Sequence, residues 1–112
     1  MKIFSLFTIL CLLLLGCAGV PTSRVRPYSW DDPYWKAENF VCKDPESVIV
    51  TEGDLYRSYR EVATIHTEGR PKDKQEAFKL MRSRLSEFGA DAVIKVRKEK
   101  NKNYEGIVVL FD

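Results

Sequence analysis

A single amphipathic segment between Asp73 and Phe88 most constrains what this chain can fold into. Asp73 suits the N-cap of a helix, and Gly89 suits the left-handed position that follows one. The sequence therefore predicts one helix over residues 73–88, and one helix must bury its apolar stripe against another element. The stripe recurs at three- and four-residue spacing, with Leu80 at its edge, and consists of Ala77, Phe78, Met81, Leu85 and Phe88.

Short β-branched or alternating segments on both sides of the helix predict four strands. The polar run 100–103 between the last two predicts a hairpin loop. The order β-β-α-β-β favours an α+β two-layer sandwich, with the helix on a mainly antiparallel four-stranded sheet. The predicted strands cover Ser47 to Thr51, Tyr59 to Thr67, Ala92 to Lys98 and Gly106 to Phe111.

Alternation within the strands predicts which side chains face the helix. Val62, Thr64 and His66 are expected on the opposite face of the second strand. Val108 and Leu110 then remain on the second face of the sheet. The aromatic-rich segment that precedes the strands, or another subunit, could cover them there. The residues expected to face inward are Ala63, Ile65, Ala92, Ile94, Val96, Ile107, Val109 and Phe111.

The N-terminal residues have the order of a bacterial lipoprotein signal. Lys2 supplies positive charge, and the apolar run Ile3 to Leu15 is shorter than the roughly 20 residues that a spanning helix needs. Leu14-Leu15-Gly16-Cys17 resembles a lipobox. We expect residues 1–16 to be cleaved and Cys17 to be lipidated, which anchors the chain in the cell envelope. Ala18 in place of Asp favours the outer membrane, facing the periplasm.

Processing would leave one small domain and a tail. Residues 17–45 are rich in proline and aromatic residues and predict a lipidated N-terminus with a semi-extended tether, followed by the domain at 46–112. Its rings either dock on the domain, or Trp30 and Trp35 form an adhesive surface for a partner, a glycan strand or the lipid interface. The rings of this segment are Tyr28, Trp30, Tyr34, Trp35 and Phe40.

Charge and chemistry argue against several classes of function. Loss of Lys2 leaves 17 of the 18 Lys and Arg residues against 16 Asp and Glu, so no strong field attracts nucleic acid. Cys42 is then the one free thiol, expected to be buried or inert, with pairing between chains or capping as alternatives. His66 is the only histidine. We therefore expect no metal, no cofactor and no enzymatic activity, and a small hydrolase built around His66 is the least favoured function.

Lysine and arginine concentrate around the predicted hairpin. They could attract lipid phosphates or the acidic groups of an envelope polymer, or simply be solvated. We expect a non-enzymatic envelope protein that binds or senses a protein or polymer partner. The alternative is a structural lipoprotein that oligomerises through Val108 and Leu110. The basic residues are Lys95, Arg97, Lys98, Lys100 and Lys102.

The run from Leu85 to Ile94 contains Phe-Gly-Ala-Asp-Ala-Val-Ile at the junction of the helix and a strand. It resembles junctions in the YbjQ-type family, labelled heavy-metal-binding, and in RcsF-type outer-membrane lipoproteins, which sense envelope stress. With Val50-Thr51-Glu52-Gly53 preceding it in similar order, the resemblance covers residues 47–111. It implies the fold and an envelope role. Because no cysteine follows Cys42, neither disulfide signalling nor a metal site is carried over.

Overall fold

A computed structural model describes residues 20–112. Within them one helix, α1 (Lys74–Phe88), lies on a mixed sheet with the strand order β1-β3-β5-β4-β2. The pair β2–β4 is parallel, and the other three pairs are antiparallel. The α+β class with one helix is confirmed, but the sheet has a fifth strand. The strands are β1 (Thr22–Pro27), β2 (Ile49–Val50), β3 (Tyr59–Glu68), β4 (Ala92–Lys98) and β5 (Tyr104–Phe111).

Helix α1 has the predicted capping and the predicted buried stripe. The Asp73 carboxylate accepts a hydrogen bond of 2.8 Å from the Glu76 amide, and Gly89 has φ of 72°. The side chains of Ala77, Met81 and Leu85 are fully buried against the sheet. Local spacing and capping residues were sufficient to define this element.

The extra strand β1 comes from the segment that the sequence assigns to a tether. Thr22 pairs with Glu68 and Pro27 pairs with Ala63, which makes β1 an edge strand of the sheet. Proline lacks a backbone donor and is tolerated on an edge strand, so its presence here did not exclude a strand. Arg84 Nε of α1 donates to the Ser23 carbonyl at 3.0 Å and fixes this edge to the helix.

The predicted facing of β4 is wrong for Ala92 and Ile94 and confirmed for Val96, and the strand contains a bulge. Lys95 has φ of 54°, and the register with β5 shifts between Ile94 and Arg97. Val93 and Val96 join the core under α1, whereas Ala92 and Ile94 belong to a second cluster. Gly106 makes room for this bulge, since a Cβ there would lie 2.4 Å from Val93 Cγ1.

The facing of β3 and β5 also differs from the prediction. A register shift between Glu61 and Ala63 brings Val62 into the same core as Ala63 and Ile65. Ile107, Val109 and Phe111 share a face, as predicted, but Val109 is buried in the second cluster with Leu55 and Tyr59 packed against it. Val108 is fully buried in the core that contains the helix stripe, and Leu110 packs against that core. The interface predicted at Val108 and Leu110 is therefore occupied within the chain.

Residues 36–48 wrap around the C-terminal end of α1. The Lys43 amide donates to the Ser86 carbonyl at 2.9 Å, and the Lys43 ammonium pairs with Asp91. Val41 approaches Gly89 so closely that a Cβ at Gly89 would lie 2.2 Å from the Val41 carbonyl oxygen. The second half of the predicted tether is thus part of the folded domain.

Candidate functional site

The predicted lipidation site, Cys17, and the predicted signal, residues 1–16, lie outside the described residues. Of the other candidate residues, the structure places the basic ones around the β4–β5 hairpin and the tryptophans near the far end of β1. No helix within residues 20–112 is long and apolar enough to cross a membrane.

The strand pairing brings several charged segments to one end of the sheet. β1 begins at Thr22 beside the end of β3 at Glu68, and Lys98 at the end of β4 pairs with Tyr104 at the start of β5. We call this the basic end; it comprises Thr22, residues 68–74 and residues 98–104. The chain that leads back to Cys17 therefore leaves the domain at the basic end.

The five predicted basic residues have different surroundings. Lys95 Nζ lies 4.0 Å from Asp54 Oδ2, and Arg97 lies 3.5 Å from both Glu99 and Glu105. The other three, which the structure leaves exposed, have no carboxylate within 4.0 Å among residues 20–112: Lys98, Lys100 and Lys102.

A network that sequence analysis did not identify holds the hairpin. Asn103 Oδ1 accepts from the Arg70 amide at 2.9 Å and from the Thr67 hydroxyl at 3.2 Å. The Thr67 hydroxyl, on a residue only 1% exposed, also accepts from the Tyr104 amide at 2.9 Å. The sequence offered one signal for this network, because Thr67 is a polar residue on the strand face that is expected to point into the core. This network fixes the 99–103 loop to the end of β3.

The acidic residues of the hairpin influence each other. A side-chain hydrogen bond with Glu105 raises the pKa of Glu99, and the same bond lowers the pKa of Glu105. Arg97 contacts both carboxylates. The negative charges of Glu99 and Glu105 are therefore compensated by Arg97. The positive charges of the hairpin lysines have no such partner among residues 20–112: Lys98, Lys100 and Lys102.

His66 lies on β3 and is half-buried. Its Nε2 is 3.6 Å from Glu68 Oε1, and its register neighbours are Arg24 and Glu105. Within the described part of the chain, no serine or cysteine lines the depression beside it. The lining residues are Arg26, His66, Thr67, Glu99, Lys100, Asn101, Asn103, Tyr104 and Glu105.

Five rings form an aromatic cluster beyond the other end of β1. Trp35 is 8% exposed and packs edge-on against Tyr34 at 4.9 Å and Phe88 at 5.7 Å between ring centroids. The Tyr34 hydroxyl donates to the Phe88 carbonyl at 2.7 Å. Docking of the rings on the domain is thus confirmed for Trp35, which is too buried to be an adhesive residue. The aromatic cluster consists of Trp30, Tyr34, Trp35, Phe40 and Phe88.

Trp30 differs from its neighbours because it is 74% exposed. Its ring contacts Trp35 edge-on, with centroids 6.4 Å apart. The adjacent Asp32 carboxylate accepts from the Tyr34 amide and pairs with Arg60 of β3 at 2.7 Å. The hydrogen bond from Arg60 lowers the pKa of Asp32. Trp30 is therefore presented on an anchored turn.

The aromatic cluster also encloses a small pocket of about 130 Å³. Trp35 lines it, and Trp35 Nε1 is a buried donor with no acceptor within residues 20–112. An unpaired buried donor is unfavourable, so an arrangement that supplies an acceptor is preferred. The pocket is lined by Val25, Pro27, Trp30, Trp35, Phe40 and Phe88.

Cys42 is exposed, so the expectation of a buried thiol is wrong. It lies on the segment that crosses the end of α1, and its Sγ is 3.9 Å from the Glu87 carbonyl oxygen. In the region the structure describes, no three His, Cys, Asp or Glu side chains are grouped as a metal site would require.

Comparison of the chain with protein-family models, with curated proteins and with solved structures gives no match.

Proposed function

We propose that this protein is a lipid-anchored, non-enzymatic component of the bacterial cell envelope that binds another envelope protein through the aromatic cluster. The observation that carries the proposal is Trp30, which is 74% exposed yet rests on the buried ring of Trp35. Exposed tryptophans supported by a packed surround are typical of the residues that contribute most to protein interfaces.

The position of the anchor supports this assignment of roles. Residues 17–21 span at most about 17 Å at about 3.3 Å per residue, so an acylated Cys17 holds the start of β1 close to the lipid. The domain is then held near the membrane, in contrast to the long reach expected of a tether over residues 17–45. Pro27 lies at the other end of β1, five residues from Thr22. This is a further distance of about 17 Å along the strand. The aromatic cluster lies beyond that end, away from the anchor.

The chemistry of the pocket favours a peptide segment as the ligand. Its lining is apolar, and the exposed ring of Trp30 forms one of its walls. A partner chain supplies the complement, because an apolar side chain of its peptide fills the space.

Site-specific photo-crosslinking tests the binding surface. A photoreactive residue at position 30 is compared in native envelopes with one at position 56, because Tyr56 is another exposed aromatic residue and lies outside the cluster. We expect a defined protein adduct from position 30 that is absent from position 56. Competition by the wild-type chain should remove the adduct, whereas Trp30→Ala should fail to compete. Equal adducts from both positions would contradict the proposed surface.

Metabolic labelling tests the anchor separately. A fatty-acid analogue should label the wild-type chain and should not label the Cys17→Ser variant. Cys42→Ser is the matched control, because it removes the other thiol of the mature chain and should retain the label. Label on the Cys17→Ser variant would show that the acylation site has been misassigned.

A further inference from the structure

We propose that the basic end lies against the anionic lipid surface that holds the anchor, and that its lysine and arginine side chains contact lipid phosphates. The inference depends on the acylation of Cys17 in the proposed function. It adds the orientation of the domain and a second membrane contact made by the protein itself.

The first observation is the place where the chain leaves the domain. β1 starts at Thr22, beside the end of β3 and on the side of the sheet that carries the β4–β5 hairpin. Residues 17–21 allow at most about 17 Å between the lipidated residue and this strand. An anchor of that length brings the basic end, rather than the aromatic cluster, towards the head groups.

The second observation is an excess of uncompensated positive charge. Glu68 and Glu99 of the basic end are paired with Arg24 and Arg97, and Lys74 is paired with Glu52. The third acid of the basic end, Asp73, caps α1 and has no cation within 4.0 Å among residues 20–112, so it offsets one positive charge. The remaining cations have no carboxylate within 4.0 Å among residues 20–112. They are Arg70, Lys72, Lys98, Lys100 and Lys102, all exposed.

Two of these cations occupy backbone positions where a side chain is unfavourable. Arg70 has φ of 54° and Lys102 has φ of 70°, in the left-handed region that glycine and asparagine prefer. The hydrogen bonds of Asn103 hold the loop in this form. The fold thus keeps charged residues at strained positions of the end that faces the anchor.

An anionic lipid surface complements this arrangement. Electrostatic attraction to such a surface acts over about 8 Å at physiological salt, and the short anchor keeps the basic end within reach. The contact adds to the lipid anchor and leaves the aromatic cluster free for the partner.

Fluorescence quenching in vesicles tests the orientation. The acylated mature protein, in a Cys42→Ser background, carries a fluorophore at Asn101→Cys in the hairpin or at Asp31→Cys beside Trp30. Asn101 is uncharged and Asp31 is acidic, and both are exposed, so neither substitution removes a cation. With quencher attached to lipid head groups, we expect position 101 to be quenched at least about twofold more than position 31 in phosphatidylglycerol vesicles. The difference should shrink in vesicles of phosphatidylcholine alone and at high salt.

Charge variants complete the test. Lys98→Glu, Lys100→Glu and Lys102→Glu together should abolish the difference between positions 101 and 31; the corresponding Gln variants, which avoid new repulsion, should reduce it. Retention of the unfolding midpoint in either set shows that the domain is intact. Equal quenching of both positions, with the protein still floating with the vesicles, would overturn the orientation and leave the anchor standing. An acylated chain that does not float would overturn the anchor and the orientation together.

Discussion

The aromatic cluster and the basic end lie towards opposite ends of β1 and are stabilised in different ways. In the aromatic cluster, rings bury one another and the one exposed tryptophan rests on a buried one. At the basic end, hydrogen bonds accepted by the Asn103 side chain hold a loop whose charged side chains are exposed to solvent. One small sheet thus has packed aromatic rings at one end and exposed, unpaired charges at the other.

Trp35→Ala should produce the largest effect, because it removes the centre of the aromatic cluster. The loss of a buried tryptophan costs about 3–5 kcal/mol in the free energy of unfolding. Trp30→Ala should cost less than about 1 kcal/mol, because most of that side chain is already in solvent. Urea denaturation of both variants measures the difference. Equal losses would mean that Trp30 is structural and would weaken its role in binding.

Asn103→Ala tests whether hydrogen bonding holds the basic end. The substitution leaves the Arg70 amide and the buried Thr67 hydroxyl without their acceptor, at a cost of about 1–3 kcal/mol. Lys100→Ala, an exposed change in the same loop, should stay within about 0.5 kcal/mol of wild type. Hydrogen exchange should show faster exchange of the Arg70 amide in the first variant only. Unchanged exchange at Arg70 would contradict the role of Asn103.

Tyr34→Phe removes one hydrogen bond from the aromatic cluster and should lower the free energy of unfolding by about 0.5–1.5 kcal/mol at neutral pH. Burial, followed by the nearby Asp91, raises the pKa of Tyr34 to about 12. Between pH 10 and that value the native state keeps a proton that the unfolded state releases, so stability falls as pH rises. The variant should lose part of this slope. A slope identical to wild type in pH-dependent urea titrations would refute the assignment to Tyr34.

Lys102→Gly should have the smallest effect on stability and should raise it. Relief of the left-handed strain at φ of 70° slightly exceeds the added entropy of the unfolded chain, which leaves a gain of about 0.5 kcal/mol. The same change removes one cation, so quenching at position 101 in anionic vesicles should decrease. Thermal unfolding and the vesicle measurement check the two effects. A variant that is less stable than wild type would indicate that Lys102 makes a stabilising contact.

The elements with strong local signals could be predicted from the sequence. Helix α1 has a stripe, a cap and a terminating glycine within one segment, and four of the strands have β-branched or alternating residues. The facing of β4 could be predicted only in part, because the bulge at Lys95 changes the alternation within that strand. Strand β1 was missed because its polar alternation is bounded by prolines, and only pairing with β3 makes it a strand.

The candidate site was predictable in composition and not in arrangement. The lysines of the hairpin and the tryptophans near the N-terminus are visible in the sequence. Their division between the basic end and the opposite end of the sheet depends on the direction in which β1 pairs, which is a tertiary property. Sequence could not distinguish the buried Trp35 from the exposed Trp30, because both lie in the same proline-rich segment.

The hydrogen bond from Arg84 to Ser23 has a consequence for crowded membranes. Lipid anchoring confines many copies to a plane, where an uncovered edge strand invites neighbouring chains to extend the sheet. Because Arg84 already donates to the Ser23 carbonyl of β1, a second copy that pairs with this edge meets the guanidinium beside that acceptor. If the chain is lipid-anchored as we propose, one arginine of the helix would thereby help to limit side-by-side pairing of neighbouring copies.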